Sequence, residues 1–469
     1  MRRLSIRPRH LLALVLLYGV LVTVLNLDYN SVFIDEAYHI TMGRELLRGG
    51  PCPGCPFATG SPRIHPTLAG IGDLVGGIHG ARIVSLLFGL GLTLTVFYAS
   101  TLLFGEWLGV LAAALFIFTG QTLYLSKLAT YDMTAAFFLG ASFCMLVLST
   151  RVDSERHRDF AIVFGSIALL IAAATKYLLP VFMPTLGLYV LLSHGWRRTI
   201  LFCVLPIAVL GALYMAFEQY APGAIVRQQI QTYRDITVPL GTIFAWAFRW
   251  IAFVLVLASF GIFHEKHGKK AAMLIALGSP IIILHLATRA EQSVNKNMIF
   301  ALIFLVPAAA LGIDHLSRLF SSGSRSRTVR VFFAAAIIVI YWAYGLFNLR
   351  WLERQYPDVT PVIEFFEQRG FDGMVVAMNG WDGVIYEYTL GSRFPAAKWI
   401  NLRDVAAVDS PEPAFVDHVD FVVCEDLFYG KLTPCEQWRR YIDRDFTLIR
   451  DFTIQHSWGI TDAEIYERR

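Results

Sequence analysis

What most constrains this chain is the recurrence of apolar runs about 20 residues long, the length an α-helix needs to cross a hydrocarbon core. They cover residues 10–27, 80–104, 107–123, 132–149, 160–174, 178–193, 199–217, 240–262, 271–287, 298–316 and 330–349. Each run can satisfy its own backbone hydrogen bonds as a helix, which lipid demands. Of the 469 residues, 56% are hydrophobic and only 16% charged, against roughly 25% charged in an average soluble domain. The chain therefore reads as a polytopic α-helical membrane protein with about eleven spans.

Charge then orients the spans. The net charge of +4 is modest and lies mostly in loops, so it speaks to topology and not to nucleic-acid binding. The dense basic clusters are Arg151/Arg156/Arg158, Arg197/Arg198, Lys266/Lys269/Lys270 and Arg318/Arg325/Arg327/Arg330. They fall on one side if the N-terminus is cytoplasmic, as the positive-inside rule requires. The opening Arg2–His10 and Leu11–Leu25 resemble a signal peptide without a small-residue cleavage site, and read as a retained first helix. The expectation is a multi-pass protein of the cytoplasmic membrane, with the 28–79 loop and everything after Arg350 outside.

Two domains are expected: a transmembrane domain over 1–350, whose first outer loop carries juxtamembrane helices, and an extracytoplasmic α/β domain over 351–469. In the tail, Val359–Arg369 has helical spacing and ends at Gly370. Met374–Met378 and Val419–Cys424 read as buried strands, Asp382–Leu390 as a helix, and Phe446–Ile454 with Ala463–Tyr466 as a closing pair. The Asn379–Gly383 turn is not the dinucleotide fingerprint. The Ser321–Ser324 run reads as a short flexible cytoplasmic loop. Of the six cysteines, Cys144 and Cys203 sit within spans as packing residues. An oxidising exterior permits a disulfide at Cys52/Cys55 or at Cys424/Cys435; half of a zinc site with His39 or His65 is the alternative for the first pair.

Chemistry enters with Asp35-Glu36-Ala37-Tyr38, two adjacent carboxylates just beyond the first span. Acids at a lipid boundary are costly and usually functional; the alternative is that Asp35 caps or solvates the helix that follows. Asp132, in Thr130-Tyr131-Asp132, opens the fourth span at the same outer face. Lone cations share that face: Lys127, Lys176, Arg227, Arg234, Arg289 and Lys296. Some are snorkelling anchors, but Lys176 and Lys296 stand alone against long apolar helices. Carboxylates and cations at one lipid boundary suit sugar transfer from a polyprenyl phosphate. A carboxylate activates the acceptor hydroxyl, cations stabilise the leaving phosphate, and attack from one face inverts the anomeric carbon.

Several motifs resemble the GT-C glycosyltransferases, nearest the protein O-mannosyltransferase and lipid A aminoarabinose transferase superfamily. They are Asp35–Tyr38, His65-Pro66-Thr67-Leu68, Ala81-Arg82-Ile83-Val84-Ser85, Phe104-Gly105, Lys127–Asp132 and Ala174-Thr175-Lys176. The match covers residues 10–200; beyond them the agreement is in span pattern and outer tail. Thr67 stands where the family has a second proline, and Cys52-Pro53-Gly54-Cys55 is not a family feature. The resemblance implies a GT-C transmembrane domain and an inverting hexosyl- or pentosyltransferase. Asp35 is then the base, Glu36 its support and Asp132 the second acid. Lys176 meets the lipid phosphate, with Tyr38, Arg63, His65, Tyr131, Arg289 and Lys296 completing the substrate-binding set. Arg82 braces the first loop or is an interfacial anchor. The implied partners are a polyprenyl-phosphate sugar, a lipid, glycan or protein acceptor, and membrane lipids. No metal ligand set is assigned, although some GT-C enzymes hold a divalent cation, Mg or Mn, between acids placed like Asp35 and Asp132. The competing class is a transporter or glycolipid flippase with a polar path; such proteins usually show internal repeats, and none is visible here.

Overall fold

The computed structural model describes residues 7–49, 63–216, 238–289, 293–320, 326–378, 383–401, 418–425, 434–456 and 459–469. Cys52, Cys55, Arg227, Arg234, Ser321–Ser324 and Asn379–Asp382 lie outside these residues. The chain forms two compact units: residues 1–27 with 42–349, and residues 28–41 with 350–469.

The first unit is a helical bundle. Seven helices among the described residues are long and apolar enough to cross a membrane: Ile64–Phe104, Tyr131–Ser149, Glu155–Thr175, Leu240–Gly261, Gly268–Thr288, Val294–Leu319 and Thr328–Glu353. Three further apolar helices, Pro8–Val24, Glu106–Ile117 and Leu179–His194, are shorter. The protein is thus a multi-pass membrane protein, and the sequence count of about eleven spans includes elements below full spanning length. Ile64–Phe104 is two helices joined at Gly76-Gly77, where Gly77 takes φ +59°, a conformation that glycine adopts without steric cost. Its first part therefore precedes the span, and its second coincides with the span expected over 80–104.

Val294–Leu319 is predominantly apolar, and every residue from Val294 to Ile313 is buried, as expected of a helix at the centre of a bundle. It packs on Leu240–Gly261 through glycine. A Cβ on Gly312 would lie 1.8 Å from the Leu257 carbonyl oxygen, and one on Gly261 would lie 2.6 Å from that of Ala308. Small residues let membrane helices approach this closely, and dispersion then holds them together.

The second unit contains a five-stranded sheet in the order β2-β1-β3-β5-β4, formed by β1 (Val375–Met378), β2 (Lys398–Asn401), β3 (Phe421–Glu425), β4 (Phe446–His456) and β5 (Gly459–Arg468). β1 pairs in parallel with β2 and β3, whereas β5 runs antiparallel to both β3 and β4. Alternation sorts the side chains into two layers. Phe421 packs against Phe366 of helix Thr360–Arg369 at 5.8 Å between centroids. Ala377, Val422, Cys424 and Tyr466 pack on the other side with Ile442 of helix Pro434–Asp445. Helix Thr360–Arg369 ends at Gly370 with φ +68°, as its sequence predicts. Cys424 and Cys435 are disulfide-bonded, while Cys144 and Cys203 are free.

Glycine packing at the central helix is testable. Gly312→Ala should destabilise the protein by about 1–3 kcal/mol, the usual cost of overpacking. Gly211→Ala, where nothing lies within 4 Å of an added Cβ, should be neutral or slightly stabilising. Thermal unfolding of the two variants in detergent makes the comparison; equal melting temperatures would refute the tight crossing.

Candidate active site

In the first unit, three helix ends converge on Asp132. This residue lies in the first turn of Tyr131–Ser149 and is buried. Its Oδ2 accepts a hydrogen bond from Thr130 Oγ1 at 2.9 Å, and its Oδ1 accepts from the ammonium group of Lys176. Lys176 caps the end of Glu155–Thr175 in extended conformation (φ −141°, ψ 114°). That change of direction turns its side chain off the helix path. Its Nζ sits 4.8 Å from the centre of the Tyr131 ring and 5.3 Å from that of Phe300, so the charge meets two π-faces as well as a carboxylate. Lys296, in the first turn of Val294–Leu319, is also buried and close enough for its charge to act on Asp132.

His65 completes this cluster. It is fully buried near the start of Ile64–Phe104, within the field of Asp132, and its Nδ1 pairs with Thr134 Oγ1 at 3.0 Å. Beside Lys296, Asn297 Nδ2 pairs with His285 Nε2 at 3.0 Å. The structure thus brings together five residues expected from sequence: His65, Tyr131, Asp132, Lys176 and Lys296. Arg289 is exposed at the left-handed end of Gly268–Thr288, and Arg63 is exposed at the start of Ile64–Phe104. Sequence reasoning missed Thr130 as a ligand of Asp132, and Phe300, which looks like any other core phenylalanine. It also missed Asp73, which is buried and takes Arg44 through two hydrogen bonds of 2.6 and 3.1 Å. Arg82 is buried and donates to the Leu27 carbonyl, a brace at the edge of the first loop.

The acid pair lies on helix Ile34–Leu47, within the second unit. The two neighbours have different surroundings. Glu36 is completely buried, and its Oε2 accepts the Phe33 backbone N–H at 3.0 Å. This is the return half of a capping box, a carboxylate in the first turn satisfying the amide that precedes the helix. Asp35, one residue earlier, is only half-buried. Both charges also favour the positive end of the helix dipole. One turn on, burial pushes the Tyr38 phenol up to about 12; like an ordinary tyrosine it is neutral at physiological pH.

A divalent cation fits Asp132 poorly, because Lys176 and Thr130 occupy its two oxygens. Among the described residues no three His, Cys, Asp or Glu side chains are grouped to hold a metal.

The buried pair makes a definite prediction. Lys176→Ala leaves a carboxylate buried without its nearest cation and should cost about 3 kcal/mol. The Lys176→Met/Asp132→Asn double variant should recover most of that loss. Melting temperatures in detergent test this coupling, and additive losses would refute it.

No family model matches the sequence, and no curated protein matches it. In structure the chain is similar to ArnT from Cupriavidus metallidurans bound to undecaprenyl phosphate. The TM-score is 0.62 at 12% identity, over 96% of this chain and 97% of that one. It is similar to the Archaeoglobus fulgidus oligosaccharyltransferase in its apo form, with TM-score 0.55 and 13% identity over 90% of this chain and 70% of that one. A third likeness is to the Archaeoglobus fulgidus oligosaccharyltransferase AglB in complex with an inhibitory peptide and a dolichol-phosphate. There the TM-score is 0.50 at 14% identity, over 89% of this chain and 69% of that one. The chain has the GT-C fold, as these transferases do.

Proposed function

We propose that this protein is an inverting glycosyltransferase that moves a hexose or pentose from a polyprenyl-phosphate donor to an acceptor hydroxyl. The reaction takes place on the outer face of the cytoplasmic membrane. The observation that carries this reading is the pair of buried lysines, Lys176 and Lys296, gathered around Asp132 at helix ends. A structure of the same fold holds undecaprenyl phosphate, and another holds a dolichol-phosphate. A phosphate of that kind suits two ammonium groups. The basic loops at Arg151–Arg158 and Lys266–Lys270 support the orientation.

In this scheme the Asp35 carboxylate takes the proton from the acceptor hydroxyl. The oxygen attacks the anomeric carbon as the bond to the phosphate oxygen breaks. Polyprenyl phosphate leaves with both electrons of that bond, and the two lysines stabilise its developing charge. Attack opposite the leaving group inverts the anomeric centre. Asp35 suits the base because the residue is only half-buried, whereas Glu36 is completely buried and accepts the Phe33 amide. Tyr38, kept neutral, is a donor for a sugar or acceptor oxygen.

Asp35→Asn keeps shape and hydrogen-bonding capacity but cannot take a proton. In proteoliposomes loaded with polyprenyl-phosphate sugars, its transfer rate should fall about 10²–10⁴-fold with an unchanged melting temperature. Transfer at the wild-type rate would remove Asp35 as the base. Movement of lipid-linked sugar across the bilayer without any glycosidic product would favour a transporter instead.

A further inference from the structure

The residues that deliver Asp35 are held by chain 323 positions further on. Asn30 Nδ2 donates to the Tyr356 carbonyl at 3.0 Å and to the Glu353 carbonyl at 3.4 Å. The Glu353 carbonyl lies at the end of a helix, where the last carbonyls have no partner within the helix. The Ser31 amide donates to Asp358 Oδ1 at 3.2 Å, and Ser31 Oγ accepts the Val359 amide at 3.2 Å. Ser31 Oγ also donates to Asn30 Oδ1 at 3.3 Å, fixing the amide orientation. Behind these bonds the Phe33 ring lies 4.0 Å from that of Tyr356, and Val32 and Phe33 are buried. Only Val32, Phe33 and Ile34 separate this tie from Asp35.

We infer that Asn30 and Asp358 are positioning residues for Asp35: the Glu353–Asp358 segment, at the start of the C-terminal α/β domain, fixes where the acid-bearing helix begins. The inference rests on the reading of Asp35 as the base. Two features favour a positioning role over simple capping. The tie is made from both directions, by a side-chain amide onto backbone carbonyls and by a backbone amide onto a carboxylate. It also ends two residues before Phe33, whose amide is closed by Glu36. The carboxylate therefore stands on a backbone hydrogen-bonded on both sides of the helix start. A catalytic group displaced by about 1 Å loses about 10²-fold in rate, so such a tie bears on turnover and not on donor affinity. The C-terminal domain becomes part of the catalytic apparatus without touching the reacting atoms.

The test uses the full chain in lipid nanodiscs, with Asn30→Ala, Asp358→Ala and Asp358→Asn. Each is assayed for kcat, for KM of the polyprenyl-phosphate-sugar donor, and for amide hydrogen exchange over Val32–Tyr38. The alanine variants should lose about 10–100-fold in kcat, hold donor KM within about twofold, and exchange faster over that segment. Asp358→Asn retains an oxygen at the Oδ1 position and should behave like wild type. Asp358 Oδ1 also accepts from Thr360 N and Oγ1, at 3.1 and 2.6 Å. Thr360→Val removes the second of these bonds and leaves the tie intact, so its kcat should be unchanged. Three results would overturn the inference: alanine variants with faster exchange but wild-type kcat, unchanged exchange, or a lost kcat that Asp358→Asn does not restore. A wild-type protein that transfers no sugar would overturn the reading of Asp35 instead. That case is told apart by its exchange data, in which the tie would still be visible.

Discussion

Asp132 and Lys176 cannot be placed among apolar helices separately. Removing one charge from water costs several kcal/mol even after the surroundings relax, and only a well-made pair offsets it. Here the pair joins the start of Tyr131–Ser149 to the end of Glu155–Thr175, with Lys296 at the start of Val294–Leu319 acting on the same carboxylate. The extended turn at Lys176, the Thr130 hydroxyl on the second carboxylate oxygen and the two aromatic rings around the ammonium all serve that juxtaposition. Replacing such a buried pair by apolar residues of similar volume is often neutral or stabilising. In the proposed function these charges are kept to meet the anionic leaving group and not for stability.

A second division of labour is local. Asp35 and Glu36 are adjacent carboxylates with the same charge, yet their positions on the first turn separate them. Helical geometry turns the Glu36 side chain back to the Phe33 amide and into the interior. Asp35 lies about 100° further around the helix and keeps part of its surface. The base of the proposed mechanism is thus the acid that the cap does not use.

Much of this was legible beforehand. Long apolar runs report helices because lipid tolerates little else, and the tail's β1, β3, β4 and β5 follow from short apolar segments between turns. Lys398–Asn401 was not legible, because four residues at a sheet edge carry no period. Helix Pro434–Asp445 was hidden by its charge, although Cys435, Trp438 and Ile442 mark an apolar stripe at helical spacing. The glycine joint at Gly76-Gly77 also escaped, since both flanks are equally apolar. At the site, lone lysines in oil announced themselves through their cost. Thr130, Phe300 and Asp73 did not, because a threonine, a phenylalanine and a loop aspartate are unremarkable until their neighbours are known.

By itself the sequence determined that the chain is helical and membrane-spanning, that its tail is α/β, and which charged residues were too costly to be incidental. These are properties of single segments, set by transfer free energy and by period. The tertiary structure decided which of those charges meet. It brought His65, Tyr131, Asp132, Lys176 and Lys296 together and left Arg63 and Arg289 exposed. It also gave Glu36 to the backbone and tied Asn30 to Tyr356. The cluster and the Asn30 tie join segments far apart along the chain, and hydropathy contains no information about distance across a bundle.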